Sequence, residues 1–176
     1  QWMMGMPPAQ DGTAYFNFLA SHDGIGLRPV EGLLTDEDIE SLTAAMEGFG
    51  GRISWRTGAD GTLRPYEINI ALIYAFSGTL DGQDQWAEDR FICAHAIMLA
   101  LEGIPGIYIH SLLATENDLA GLERSGHNRA INRRQWDFGE ICGFLDSDDN
   151  LHGRVYRRLI RLMVLRRQQV AFHPNA

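Results

Sequence analysis

The chain contains no lysine: all fifteen of its basic residues are arginine, set against 23 acidic ones for a formal net charge of -8. That balance excludes a dedicated nucleic-acid binder, because phosphate recognition needs a basic face. Cysteine is nearly absent as well. Cys93 and Cys142 lie far apart, with no metal-like CxxC spacing, and are expected to be reduced, partly buried thiols. No uninterrupted apolar run reaches the ~20 residues of a membrane helix, and no signal peptide is visible. The expectation is a cytoplasmic protein with no membrane partner. Neither a HExxH motif nor a P-loop occurs, and there is no low-complexity tract, internal repeat or linker. No metal site is expected.

What is present is a chain of 176 residues, 45% hydrophobic, long enough for one domain with its own core. Residues 1–12 read as loop, with Pro7, Pro8, Asp11 and Gly12 as breakers. The run 13–21 is apolar on both faces, as a strand sandwiched between layers requires. Thr35 followed by Asp36, Glu37 and Asp38 predicts a helix start, and Ile39, Leu42 and Met46 continue it at helical spacing to Gly48–Gly51. Residues 52–65 are polar, contain Gly58 and Gly61, and read as a long functional loop. Tyr66 to Phe76 fits either strand or helix. Trp86 to Leu101 predicts the clearest helix, with Ile92, Ala96, Leu99 and Ala100 near one face and His95 and Met98 as packing residues. Residues 104–110 read as a short buried strand and 111–138 as a second long loop. A last helix runs from about Leu151 to Gln169, with Arg154, Arg157, Arg158 and Arg161 on its solvent face. The acidic stretch Asp146–Asn150 reads as the approach to that helix, since it lacks the glycine and terminal glutamate of a calcium loop.

Three constellations carry candidate chemistry. The first is Ser21-His22-Asp23, at the end of the first strand and ahead of Gly24-x-Gly26. Adjacent side chains on an extended segment point to opposite faces, so this is not a serine triad. A carboxylate at a strand end can stabilise developing positive charge, and a histidine beside it can bond a hydroxyl. The alternative is a turn-capping aspartate with a structural histidine. The second is Arg64-Pro65-Tyr66-Glu67-Ile68-Asn69, where an arginine, an aromatic face and an acid suit a sugar or an anion. The alternative is an exposed loop with a packed tyrosine. The third runs from Gly126 to Arg134 and, by composition alone, is a solvated basic loop.

Taken in order and at this spacing, the segments Phe18–Gly26, Arg64–Asn69, Gly103–Tyr108 and Asn128–Arg133 resemble the sucrose-phosphorylase group of glycoside hydrolase family 13, the α-amylase family. The resemblance covers nearly the whole chain. It implies an α/β fold, a partial TIM (β/α)8 barrel of about the last two βα units with long inserted loops. Residues 1–176 would be a C-terminal fragment of a (β/α)8 catalytic domain, without a separate second domain and with its upstream part missing. It further implies a retaining reaction on an α-glucoside, in which inorganic phosphate as co-substrate takes the sugar as α-glucose 1-phosphate, with no cofactor. The nucleophile and the acid/base of the family lie on strands four and five, outside this chain, so the chain alone is expected to be inactive. Asp23 resembles the family's transition-state stabiliser, His22 the histidine beside it, and Arg129 an arginine of the donor pocket. Tyr66 and Glu67 fall on acceptor-loop positions. Arg64 replaces the acid of typical sucrose phosphorylases, and with Pro65 it makes the loop resemble the glucosylglycerate phosphorylases, with an anionic acceptor such as glycerate. A hydrolase of the same family and a non-catalytic structural module are the alternatives.

Overall fold

A computed structural model of the protein describes residues 5–58 and 60–172, so residues 1–4 of the expected N-terminal loop lie outside it. The fold is a mixed α/β arrangement organised around two parallel strands. Strand β1, Phe16–Asn17, pairs parallel with β7, Ile104–Pro105. The pairing is flanked by Ile104 N donating to Tyr15 O and Gly106 N to Asn17 O, both at 2.7 Å. The chain between these strands forms one insertion and the chain after β7 another. Both expected strands are therefore much shorter than residues 13–21 and 104–110. Among the described residues each of these strands is paired along one edge only, and beyond Gly106 the chain turns into a helix instead of extending.

Within the first insertion, β2 (Ile25–Gly26), α1 (Asp36–Gly48), β3 (Arg52–Thr57) and β4 (Leu63–Asn69) pack together. The three strands make an antiparallel sheet in the order β2-β4-β3. The expected long loop at 52–65 is thus a β-hairpin. Its signal was the alternation Arg52, Ile53, Ser54, Trp55, Arg56, with Ile53 buried and Arg52 exposed, which the surrounding glycines masked. Pro65 is tolerated because it sits opposite Trp55, where the register shifts at a bulge and no ladder donor is needed. Helix α1 begins at the expected cap. Thr35 Oγ1 accepts from Asp38 N at 3.1 Å, and Asp38 Oδ2 accepts from Thr35 N at 3.0 Å. The ambiguous run 66–76 divides: β4 extends through Asn69, and a single turn, α2 (Leu72–Ala75), follows. A two-residue ribbon of β5 (Gly78–Thr79) and β6 (Gly82–Gln83) leads into α3 (Ala87–Ala100).

After β7 come α4 (Ile109–Leu112), α5 (Leu119–Ser125), a 3-10 turn at Asn128–Asn132, α6 (Phe138–Leu145) and α7 (Leu151–Arg167). The expected second loop is therefore largely helical. Its helices are short, and their starts are marked by Asp118 and Asp137, whose side chains accept from Gly121 N and Glu140 N. Asn150 caps α7 in the same way, so the acidic approach at 146–150 ends as expected.

The core has two adjoining parts. One joins α3 to α7 through Phe91, Ile92, Val155 and Leu159, with Ala20 and Leu72 beside them. His95 and Met98 are buried as expected, whereas Ala100 is exposed. The other lies under the three-stranded sheet, built from Leu27, Met46, Phe49, Ile53, Ile68 and Ile70. Ile25, Tyr74 and Ala75 touch both parts. The arginines of α7 depart from a plain solvent face. Arg154 and Arg158 bridge to Glu88 at 3.1 and 3.0 Å, Arg158 also reaches Asp89 at 2.9 Å, and Arg157 pairs with Asp148. Cys93 and Cys142 are free, and Cys93 is exposed rather than partly buried. No helix among the described residues is long and apolar enough to cross a membrane.

Candidate active site

The parallel pair delivers two segments to the same end, which is where β/α proteins place functional groups. The segment after β1 turns sharply at Ser21–Gly24, where Ser21 and Gly24 exchange both backbone hydrogen bonds at 3.1 Å. Glycine is required at position 24. Its φ is +111°, and a Cβ there would stand 2.3 Å from Ile68 O of β4. The turn projects Asp23, whose side chain is 34% exposed.

Three successive carbonyls of this turn are each bound by a side chain from elsewhere. Ser21 O accepts from Asn132 Nδ2 at 3.1 Å, His22 O from Arg133 Nε at 2.7 Å, and Asp23 O from Asn69 Nδ2 at 2.8 Å. Asn69 ends β4, and Asn132 and Arg133 follow β7. The His-Asp turn is thus fixed from both insertions at once.

The charges converge at the same point. Arg129 Nη1 lies 2.9 Å from Asp23 Oδ1, and Arg133 Nη2 donates to that oxygen at 2.9 Å. His22 Nε2 is 3.4 Å away, on a ring that is 67% exposed. Arg129 also holds Glu67 in a bidentate fork, Nε to Oε2 at 3.0 Å and Nη2 to Oε1 at 3.1 Å. Glu67 is buried on β4, with Asn69 Nδ2 donating to Oε2 at 2.8 Å. The fork raises the Arg129 guanidinium further above its already high value. Ser54 Oγ donates to Asn69 Oδ1 at 2.6 Å, which extends the polar chain into β3.

Of the residues expected from sequence, His22, Asp23, Glu67 and Arg129 therefore meet. Tyr66 adjoins them on β4, with the Arg56 guanidinium 5.5 Å from its ring centre. Arg64 stands apart. It is paired with Asp60 at 2.9 Å near the hairpin tip, and it lines a separate cleft with Trp55, Glu37 and Glu40. An open cavity of about 1350 Å³ lies beside the cluster instead, lined by Arg129, Arg133, Ser54, Arg124, His127 and Arg134. Sequence reasoning included Asn69, Asn132 and Arg133 in its candidate segments but gave them no role. The available signal was Arg129 and Arg133 four residues apart, a spacing that presents both to one side of a helical turn. The turn is braced from below. Tyr108 Oη donates to Asn132 O at 3.0 Å, and burial pushes this phenol upward. Thr115 Oγ1 receives Trp136 Nε1 at 3.0 Å and lies 3.0 Å from His110 Nδ1. No group of three or more His, Cys, Asp or Glu side chains among the described residues is placed to hold a metal.

Chemically, the arrangement presents one carboxylate whose charge is balanced but not buried, on a rigid turn, beside a cavity rich in hydrogen-bond donors. That suits recognition of a polyhydroxylated substrate and electrostatic stabilisation of a cationic centre.

No protein-family model matches the chain. Individual proteins do. It is 44% identical over 174 residues to the glucosylglycerate phosphorylase of Escherichia coli (strain K12), an alignment covering 99% of this chain and 31% of that protein. It is 39% identical over 163 residues to the glucosylglycerate phosphorylase of Spirochaeta thermophila, covering 93% of this chain and 27% of the relative. Its backbone matches the crystal structure of sucrose 6F-phosphate phosphorylase from Thermoanaerobacter thermosaccharolyticum with a TM-score of 0.73 at 26% identity, over 89% of this chain and 30% of that one. The chain spans under a third of the length of each of these relatives, and over that span it is similar to glucosylglycerate and sucrose phosphorylases.

Proposed function

We propose that this chain supplies the transition-state carboxylate and part of the sugar pocket of a retaining α-glucoside phosphorylase. In this reading β1 and β7 are neighbouring strands of a (β/α)8 barrel, and residues 1–176 belong to one catalytic domain. Asp23 accepts sugar hydroxyls through hydrogen bonds that tighten as positive charge develops at the anomeric carbon. His22 and Arg129 contribute to the donor pocket, and Tyr66 and Glu67 to the acceptor side. A carboxylate elsewhere attacks the anomeric carbon while an acid protonates the leaving oxygen. A phosphate oxygen then displaces that carboxylate to give α-glucose 1-phosphate. The reaction needs phosphate as co-substrate and no cofactor, and it belongs in the cytoplasm. The observation that carries this reading is the 2.9 Å pair between Asp23 and Arg129 at the carboxyl end of a parallel strand pair, in a chain 44% identical to a glucosylglycerate phosphorylase.

The acceptor is an anion such as glycerate. Three relatives at 38–44% identity act, by name, on glucosylglycerate. Arg64, held by Asp60 on the hairpin, is poorly placed to meet it, whereas the arginine-lined cavity adjoins Asp23 directly. The test is a chimera in which this chain replaces the matching segment of the E. coli relative. The expected result is phosphate-dependent release of glucose 1-phosphate, faster from glucosylglycerate than from sucrose, and reduced about 100-fold or more by Asp23→Asn. Glucose release indifferent to phosphate, or a clear preference for sucrose, overturns it.

A further inference from the structure

The segment Gly126–Arg134, by composition a solvated basic loop, forms much of one wall of the open cavity beside the Asp23 cluster, together with Arg124 at the end of α5. The cations on that wall differ in how they are engaged. Arg129 and Arg133 are committed to Glu67 and Asp23. Arg124 and the ring of His127 are exposed, and among the described residues neither meets a carboxylate. The wall carries one acid, Asp118, whose carboxylate is turned to cap α5 and accepts from Gly121 N at 2.7 Å. Nothing described on the wall balances Arg124.

Arg134 is presented rather than tightly paired. Its Cζ lies 3.8 Å from the centre of the Trp136 ring, so the guanidinium rests over the indole. The indole is held in turn. Its Nε1 donates to buried Thr115 at 3.0 Å, and Phe144 and His152 meet it edge-on, with ring centres 6.0 and 5.2 Å away. The exposed Glu140 stands 3.4 Å from Arg134 Nη2, well beyond the roughly 2.7–2.9 Å of a charge-assisted bond. Nε and Nη1 of Arg134 meet no acceptor among the described residues. A planar edge of donors, held in place and left open, matches the paired oxygens of a carboxylate.

We propose that Arg134 and Arg124 form an oxyanion subsite that selects an acceptor bearing a carboxylate, a small hydroxy acid, over the corresponding uncharged alcohol. The inference rests on the α-glucoside phosphorylase reading above and places recognition of the acceptor's charge on the segment after β7. It fills the part that Arg64, paired with Asp60 on the hairpin, is poorly placed to take. An acceptor that lacks the carboxylate leaves the guanidinium fork without a partner, and that difference is the discrimination.

The test runs the intact enzyme carrying this chain in the synthetic direction, from α-glucose 1-phosphate, with glycerate and with glycerol as acceptors. The two differ only in bearing a carboxylate or a hydroxymethyl group, and the preference is the ratio of their kcat/KM values. Arg134→Gln and Arg124→Gln are each expected to lower that ratio about tenfold or more, chiefly by raising KM for glycerate. Arg134→Lys keeps the charge without the planar fork and is expected to fall between parent and Arg134→Gln. A ratio within about threefold of the parent in folded Arg134→Gln overturns the proposal. Arg124→Gln, at an exposed position without a described partner, decides by the same measure if the Arg134 variants do not melt cooperatively. A rise in KM for phosphate during phosphorolysis, with the preference for glycerate intact, also overturns it. A parent enzyme that prefers glycerate and keeps that preference in the variants sinks only this subsite. A parent that transfers no glucose to glycerate sinks the acceptor reading and this inference with it.

Discussion

At the scale of single residues, the site is a set of neighbours that fail differently when removed. Gly24→Ala meets two penalties, a positive φ and a Cβ driven against Ile68 O. It is expected to cost about 2–4 kcal/mol, read as a drop in the midpoint of denaturant unfolding. Glu67 is buried, and its charge is balanced by Arg129. Arg129→Met strands that carboxylate and is expected to cost about 2 kcal/mol, less than a wholly buried pair because Arg129 itself is partly exposed. Glu67→Gln, which keeps an acceptor for Asn69, is expected to cost less, and a melt of the two variants side by side distinguishes them. Two histidines set a pH dependence. Burial pushes both His95 and His110 below the ordinary imidazole value. The unfolded chain therefore binds protons more readily than the folded one. The stability contributed is complete above the unfolded value near pH 6.5 and is lost as pH falls below it. His95→Leu is expected to flatten that slope between about pH 6.5 and 5 in urea unfolding curves.

At the scale of elements, burial outweighs charge. Helices α3 and α7 meet through Phe91, Val155 and Leu159, none of them accessible, and through ion pairs of Arg154 and Arg158 with Glu88 and Asp89 at partly exposed positions. Leu159→Ala is expected to cost about 2–5 kcal/mol. Arg158→Met is expected to cost under about 1 kcal/mol, and that loss should shrink in high salt. Helices α3 and α7 were legible because each is long enough to show an apolar stripe, and α7 also has a capped start at Asn150. The hairpin β3–β4 was not, since five residues of alternation between glycine-rich flanks look polar to any wide window. The short strands were overread for a related reason. Residues 13–21 are mostly apolar, but strand length is decided by the neighbour's ladder, and β7 offers two paired residues. At the site, Asp23, Glu67 and Arg129 were legible as motif members. Asn69, Asn132 and Arg133 lay in the same segments, but their roles were not legible, because their part is to bind backbone carbonyls, and no local pattern announces which distant carbonyl a side chain will meet.

At the scale of the whole molecule, the parallel pair leaves an apolar surface uncovered. Phe16 is 64% exposed, and Phe18 and Ile104 53% each. The reading proposed above expects the isolated 176-residue chain to bind a hydrophobic dye such as ANS and to show no turnover of sucrose or glucosylglycerate. Catalysis by that purified chain would contradict it. The hydrogen bonds that fix the turn at Ser21–Asp23 have a temporal consequence as well. Two of them join residues 111 positions apart, and the third joins residues 46 apart. Closing such distances sacrifices chain entropy before any bond forms, so these contacts form late. Folding kinetics should accordingly be blind to Asn132→Ala, while unfolding accelerates: a turn held at three successive carbonyls would be the last to set and the first to let go.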